Sequence, residues 1–229
     1  MSRDVFLVVE GPTEQLFVER VLAPCLSPSG LHFHATQIPN RGGRGGDVRF
    51  ERAAKGVSNF LKQRHDTFVG TFFDYYGLKE WPRLAEVRAM NGPSPADIAN
   101  VLNEAATADL TARLPDIDVR RRFFPFLAVH EFEALLFSDA AKLSSASGIP
   151  EPLIRAALEE AGDPERIDRS PETAPSKRLA AWSKGQYGKT TTGIAAAQSI
   201  GIPAMRAACS NFDAWLSLIE NAMIAIGNN

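Results

Sequence analysis

The chain opens with an apolar run that gives way to a segment of helical period. Val5 to Val9 is a continuous apolar run of strand length, which is typical of a strand buried on both faces. A Gly-Pro turn follows, and apolar residues then recur at helical spacing from Leu16 to Leu22. Thr13 is in position to cap this helix. The first segment therefore predicts a strand, a tight turn and a helix.

The succession of predicted strands and helices continues through two further strands. "LHFHATQI" alternates between apolar and polar residues and predicts a second strand. Helical spacing covers Phe50 to Arg64, and "FVGTFFD" predicts a third strand that ends at Asp74. A βαβαβ order favours an α/β fold with a parallel or mostly parallel central sheet flanked by helices.

The rest of the chain is mainly helical. Residues 81–122 have a helical pattern broken by prolines, which indicates an insertion or a crossover, and "FFPFLAV" predicts a fourth strand. Beyond Ser144 the composition shifts to Ala, Pro, Ser and charged residues. We therefore expect an α/β core over residues 1–143, with the helical insertion at about 81–122, and a helical region over 144–229 that packs on this core. The C-terminal helices are predicted near Glu151 to Ala161, Ser176 to Trp182, Thr192 to Ile200 and Asn211 to Ile226.

Acidic residues follow three of the predicted strands. Glu10 follows the first, Asp74 ends the third, and Glu131 and Glu133 come after the fourth. Ligands of open α/β sheets collect at the carboxyl ends of the strands, so we expect these groups to converge. Clustered carboxylates repel one another unless a cation lies between them, and oxygen ligands suit Mg²⁺ or Mn²⁺. The pattern therefore predicts a metal site of the kind used in phosphoryl transfer.

These carboxylates also have purely structural interpretations, which fit Glu10 least because it directly follows a buried strand and precedes a tight turn. Glu14 lies in the first turn of the predicted helix, where a carboxylate complements the helix dipole without any further role. Asp74 would serve equally as a turn residue, and Glu131 and Glu133 as solvated surface groups. The concurrence of these residues at the ends of strands favours the metal site over these separate explanations.

Several motifs resemble a known family of domains. "VVEGPTE", followed by an aspartate after an apolar strand, is similar to the Toprim domain of topoisomerases, primases and OLD-family nucleases, in which a glutamate ends a strand and an Asp-x-Asp motif follows. Over most of the chain, the ordered motifs "VEGPTE", "FFDYYGL", "HEFEALLFSD", "PSKR" and "YGKTTTG" resemble the Toprim-like family called domain of unknown function 4276.

This resemblance implies a Toprim-like fold, a Mg²⁺ or Mn²⁺ site, and a role in bacterial defence or mobile elements beside a separately encoded ATPase of the ABC or SMC type. Glu10 and Glu14 match the glutamate motif, and Asp74 matches the first aspartate of Asp-x-Asp. The chain departs from the pattern at Tyr76, where the second aspartate would stand. Glu131 or Glu133 would then supply the missing oxygen ligand.

Basic residues add candidates for phosphate binding. Lys177, Arg178 and Lys189 lie beside hydroxyl residues, a combination suited to holding a phosphate or stabilising a charged transition state. Lys177 opens a predicted helix, where a cation opposes the dipole and gains nothing structurally. Arg41 and Arg44 lie in a glycine-rich loop that would equally be a plain surface loop.

His130 and three aromatic residues have two interpretations each. His130 would act as a proton carrier or phosphate ligand, or would be structural. Tyr75, Tyr76 and Trp81 would stack on a base or pack in the core.

Composition narrows the functional classes. Lys and Arg total 25 against 27 for Asp and Glu, a net charge of −2, so a polyanion would have to bind at a local patch. Cys25 and Cys209 lack metal-ligand spacing and are expected to be buried thiols in a reducing compartment. No apolar stretch approaches a membrane span or a signal-peptide core, so we expect a cytoplasmic protein.

Two functions fit these observations. The first is a divalent-metal-dependent nuclease that acts on DNA or RNA, with Glu10, Lys177 and Lys189 in catalysis and Glu10, Glu14, Asp74, Glu131 and Glu133 at the metal. The second is a catalytically degenerate subunit that binds nucleic acid or regulates the ATPase partner.

Overall fold

A parallel sheet forms the centre of the molecule. The computed structural model describes residues 2–38, 48–129, 131–167 and 173–227. Its strands are β1 (Arg3–Val9), β2 (Leu31–Gln37), β3 (Val48–Arg49), β4 (Phe68–Asp74), β5 (Leu78–Lys79) and β6 (Phe123–Ala128). A four-stranded sheet has the order β2-β1-β4-β6 with every pair parallel, and β3 pairs with β5 in a separate parallel ladder. The predicted parallel sheet is confirmed.

Helices make up most of the remaining chain. They are α1 (Pro12–Phe17), α2 (Ala23–Leu26), α3 (Phe50–Gln63), α4 (Leu84–Ala89), α5 (Pro95–Arg113), α6 (Val119–Arg122), α7 (Ala140–Ser147), α8 (Glu151–Ala161), α9 (Pro175–Trp182), α10 (Ile194–Ile200), α11 (Ile202–Ala208) and α12 (Ser210–Gly227). Two π-helical segments, Val18–Leu22 and Lys189–Gly193, adjoin α helices, and 3₁₀ turns cover Ser27–Ser29, Tyr75–Gly77, Phe132–Ser138 and Pro164–Arg166. Within the described residues, no helix combines the length and apolar character that crossing a bilayer requires.

The sheet is buried on both faces, as its apolar strands predict. Val5, Leu7 and Val9 of β1 belong to one hydrophobic cluster, and Val8 belongs to another on the opposite face. Residues of α1, α10 and α12 complete the first cluster, while residues of α3 and α5 complete the second. Side chains of a strand alternate between faces, so a strand covered on both sides is apolar throughout.

The C-terminal helices share a core with the sheet. The ring of Trp215 in α12 stacks on Phe126 in β6 with centroids 4.9 Å apart, and its indole Nε1 donates to the carbonyl of Phe124 at 3.0 Å. The boundary suggested between residues 143 and 144 lies inside α7. The division into a core and an appended region stays a prediction, although both parts contribute to one cluster.

The strand order creates a crevice beside β1. The chain leaves β1 for β2 on one side and later enters β4 on the other side of β1. Val9 lies opposite both Gln37 and Phe72, and Asp74 lies opposite Ala128, so the carboxyl ends of these strands meet at one edge. Strands β1 and β4 are neighbours and run parallel. A reversal of this kind is the place where open α/β sheets bind ligands.

The cysteines differ in their surroundings. Cys209 is buried with its Sγ 3.4 Å from Ser138 Oγ, and burial raises the pKa of its thiol to about 12. Cys25 is exposed on α2, so the expectation of two buried thiols is wrong for this residue. Short α2 buries only Leu26, which leaves the neighbouring side chain in solvent.

A buried carboxylate holds the start of α12. Glu165 is only 6% exposed. Its Oε2 accepts from the backbone N–H of Asn211 at 2.8 Å, and its Oε1 accepts from that of Phe212 at 3.2 Å. The first N–H groups of a helix have no acceptor within the helix. Glu165 therefore caps α12 from a distant part of the chain.

Substituting this carboxylate is expected to destabilise the protein. Glu165→Ala leaves two N–H groups without acceptors and should lower the free energy of unfolding by about 1–3 kcal/mol. Urea unfolding monitored by circular dichroism measures this change. Glu159→Ala, at an exposed position on α8, should change stability by less than about 0.5 kcal/mol. Equal stabilities of the two variants would contradict the capping role.

Candidate functional site

A cavity of about 350 Å³ opens at the carboxyl ends of β1 and β4. Four of the predicted acidic residues and one predicted lysine line it, so the structure brings these candidates together. The lining residues are Glu10, Gly11, Pro12, Thr13, Glu14, Asp74, Tyr76, Gly77, Glu131 and Lys189.

The turn between β1 and α1 places the glutamates. Gly11 is extended at the N-cap and Pro12 occupies the first helical turn, so the predicted cap at Thr13 is wrong because the helix begins earlier. The backbone N–H of Gly11 donates to Glu14 Oε2 at 3.0 Å. Burial raises the pKa of Glu14, and the charge of Glu10 raises it further. Glu14 therefore both caps the helix and lines the cavity.

Asp74 lies near the other charged residues of the site. Its Oδ1 accepts from the backbone N–H of Phe132 at 2.8 Å, which ties the end of β4 to the 3₁₀ turn after β6. Burial raises the pKa of Asp74 well above its usual value, and the charges of Glu14, Glu133 and Glu10 raise it further. The cluster would therefore be stabilised by an added positive charge.

Glu10 lies against the turn that follows β4. A Cβ atom on Gly77 would lie 2.6 Å from Glu10 Oε2, which is closer than such atoms approach. This close approach requires glycine in "YYG". Tyr76 is 42% exposed at the rim of the cavity, whereas Tyr75 packs against the hydrophobic cluster that contains α3 and α5.

Glu131 joins the cavity to α9. Its Oε2 accepts from the backbone N–H of Ser176 at 2.9 Å, and its Oε1 accepts from the Ser176 hydroxyl at 2.9 Å. The alternative of a merely solvated Glu131 is wrong, because both of its oxygens are bonded. The role of Ser176 was missed, since nothing in the sequence connects residues 45 positions apart.

Glu133 is paired with Lys189. Glu133 is buried, and Lys189 Nζ lies 2.9 Å from its Oε1 and 3.1 Å from its Oε2. Burial raises the pKa of Glu133 to about 6, although Lys189 acts in the opposite direction. Burial alone would lower the pKa of Lys189, but Glu133 and Glu131 outweigh it and raise that pKa. Lys189 is the one cationic side chain among the described residues that line the cavity.

Other candidates lie elsewhere. Lys177 is exposed on α9 and is not among the residues of the cavity wall. Arg178 pairs with Glu160 at 3.4 Å, and Trp81 is only 7% exposed, so core packing explains Trp81. Arg41, Arg44 and His130 lie outside the described residues.

The carboxylate oxygens suit a hard cation, but they are not arranged as a ready set of metal ligands. Among the described residues, no three His, Cys, Asp or Glu side chains form a group that could hold a metal ion. Internal donors hold these carboxylates: Gly11, Phe132, Ser176 and Lys189. The oxygen-only chemistry fits Mg²⁺ or Mn²⁺, and the buried Glu133 Oε1 contacts Lys189 Nζ at 2.9 Å without the geometry of a hydrogen bond. The residues therefore fit such a cation in chemistry and require side-chain rotation to bind it.

Comparison with known families gives one match. Residues 9–220 match the family described as domain of unknown function (DUF4276). The comparisons with curated proteins and with solved structures gave no match. The family match covers the whole candidate site, from Glu10 to Lys189, and the kinship with Toprim domains stays a prediction. Because the match extends over most of its length, the chain belongs to the DUF4276 family.

Proposed function

We propose that the protein is a divalent-metal-dependent nuclease that cleaves phosphodiester bonds of DNA or RNA. The observation that carries this proposal is the cavity at the strand-order reversal, which Glu10, Glu14, Asp74, Glu131 and Lys189 line together. Carboxylates that raise one another's pKa favour a bound cation, and an adjacent lysine suits a phosphate.

The carboxylates and the lysine have separate roles in this proposal, including Glu133, which pairs with Lys189 behind the cavity wall. Glu10 and Asp74 would hold Mg²⁺ or Mn²⁺, while Glu14, Glu131 and Glu133 complete or tune the site. The cation, when bound, supplies charge stabilisation to the attacking and leaving oxygens. Lys189 binds a phosphate oxygen.

Residues outside the cavity wall would extend the contact with nucleic acid. Lys177, exposed on α9, contacts phosphates beyond the reacting one, and Tyr76 at the rim stacks on a base. The net charge of −2 means that binding depends on these local contacts and on the metal. By its resemblance to Toprim-like defence proteins, the chain would act with an ATPase of the ABC or SMC type in bacterial defence.

A cleavage assay tests the proposal. The purified protein is incubated with plasmid, single-stranded DNA and tRNA in Mg²⁺, Mn²⁺ or EDTA, with and without the ATPase encoded next to it. We expect cleavage of at least one substrate in a divalent metal and none in EDTA. Absence of cleavage in both metals with the ATPase present would refute the proposal.

Two observations favour a degenerate binding or regulatory subunit as the second candidate. Tyr76 stands in place of a second aspartate, and the described carboxylates form no ready ligand group. Melting temperatures with and without Mg²⁺ or Mn²⁺ discriminate between the candidates, because a ligand that binds the native state stabilises it. A nuclease should be stabilised by the metal, whereas a degenerate subunit should not.

Stability without metal is expected to fall as pH rises through 6. The folded pKa of Glu133, about 6, lies above its ordinary value, so its stabilising contribution is present below pH 4.5 and is lost as pH rises. The loss amounts to about 2 kcal/mol. Urea unfolding in EDTA from pH 5 to 8 should show a steeper decline for the wild type than for Glu133→Gln.

The stabilisation by Mn²⁺ should increase as pH rises. Metal binding requires deprotonated carboxylates, so the melting temperature should rise more on adding Mn²⁺ at pH 8 than at pH 5. An equal rise in melting temperature at both pH values would contradict metal binding by these carboxylates. Equal declines of stability with pH for wild type and Glu133→Gln would contradict the role given to Glu133.

A further inference from the structure

We infer that the Lys189 ammonium is a built-in competitor of the divalent cation, and that it must leave Glu133 before the carboxylate cluster can close around a metal. This inference rests on the proposed function and specifies how its metal site is regulated. It predicts that loading of the metal and release of Lys189 toward the substrate phosphate are one coupled event.

The donors that hold the carboxylates differ in kind. Glu14, Asp74 and Glu131 accept from neutral N–H or hydroxyl groups. A neutral hydrogen-bond donor occupies an oxygen of the carboxylate but does not neutralise its charge. Among the described side chains, the donor to Glu133 is instead a cation, Lys189. Departure of Lys189 therefore changes the net charge around these described carboxylates.

Lys189 has the freedom to leave. Its side chain is 46% exposed, whereas that of Glu133 is 1% exposed. It begins the π-helical segment Lys189–Gly193 and reaches Glu133 along a flexible four-carbon stem. A lysine at the cavity wall can turn from the buried carboxylate toward solvent without unfolding a helix.

The influence of Lys189 extends beyond its own ion pair. Its charge acts on Asp74 and Glu14 as well as on Glu133. It therefore partly compensates the cluster that a divalent cation would neutralise. A cation with two charges replaces one with a single charge, and the released ammonium remains beside the cavity, where a phosphate can accept from it.

Removal of this charge should have opposite effects on two measurements. Lys189→Met removes the competitor, so Mn²⁺ should bind about tenfold tighter or more, as expected for a unit charge a few ångströms away. The same substitution removes the phosphate ligand, so cleavage should slow. If Lys189 were purely structural, the same substitution would weaken both Mn²⁺ binding and cleavage.

The experiment is a titration of Mn²⁺ alone, with free Mn²⁺ followed by electron paramagnetic resonance, on the full chain at pH 7.5. Wild type, Lys189→Met, Lys189→Arg and Lys55→Met are compared, and melting in EDTA verifies that each folds. Lys55 is exposed on α3 against the other face of the sheet and is the matched control. We expect tighter binding for Lys189→Met and no change for Lys55→Met. Lys189→Arg, which retains the charge and pairs bidentately, should bind no tighter than wild type.

The outcomes separate this inference from the proposed function. If wild type binds Mn²⁺ and folded Lys189→Met binds it equally or more weakly, the competition is refuted while the metal site stands. Binding by Lys189→Met alone supports both claims. If neither protein binds Mn²⁺, the metal site and the competition are both refuted. Should Lys189→Met not fold, tighter binding by Lys189→Arg overturns the inference and weaker binding supports it.

Discussion

Substitution of Glu10 by Gln is expected to reduce metal-dependent cleavage by orders of magnitude while the fold survives. Glu10 lines the cavity directly after β1, and its Oε2 occupies the space that a Cβ atom on Gly77 would need. Glutamine keeps the shape of the side chain but removes the charge needed at the metal. Without metal, the folded state should even gain stability, because one member of a repelling cluster has been neutralised.

Initial cleavage rates in Mg²⁺ and Mn²⁺ measure this effect, and circular dichroism verifies the fold. Glu19→Gln is the matched control, since Glu19 is exposed in the segment after α1 and its Oε1 accepts from the Gln15 side chain at 2.7 Å. It should retain wild-type rates. If Glu10→Gln cleaved at the wild-type rate, Glu10 would have no role in the reaction.

Gly77→Ala is expected to slow cleavage by about 100-fold, because a displacement near 1 Å of a positioned group can cost that much. The new Cβ would lie 2.6 Å from Glu10 Oε2, so the carboxylate has to move. Because the displaced group is the end of a side chain rather than backbone, Gly77→Ala should affect the melting temperature less than the cleavage rate. The two measurements are the cleavage rate and the melting temperature.

Two controls make this prediction specific. Gly56→Ala on α3 places a Cβ at 3.4 Å from Val8, away from the cavity, and should leave cleavage unchanged. In a Glu10→Gln background, Gly77→Ala should cause little further loss, since both changes act through one carboxylate. Full additivity of the two losses would show that Gly77 acts through something other than Glu10.

The sheet and much of the site could be predicted because their signals are local. Each central strand is an apolar run with an acid at or just beyond its end, as at Glu10 and Asp74, and parallel pairing then forces those acids to one edge. Helices α3, α8 and α12 follow their apolar periodicity to within a residue or two of the predicted bounds. In contrast, β3 and β5 are two residues each, too short for any periodic pattern.

What the sequence could not predict depends on contacts between distant residues. Lys177 and Lys189 have similar neighbours in sequence, yet only Lys189 reaches the cavity, where it pairs with Glu133 across 56 positions. Glu131 and Ser176 are likewise joined by tertiary packing alone. The internal donors to Asp74, Glu131 and Glu133 follow from such contacts, and the described residues contain no ready metal ligand group.

The metal site is tested most directly by anomalous diffraction from a crystal soaked in excess Mn²⁺. We predict an anomalous peak between the carboxylates of Glu10 and Asp74, with Lys189 Nζ moved away from Glu133 relative to the present 2.9 Å contact. A cavity without an anomalous peak, in which Lys189 still pairs with Glu133, would contradict a metal-dependent nuclease at this site.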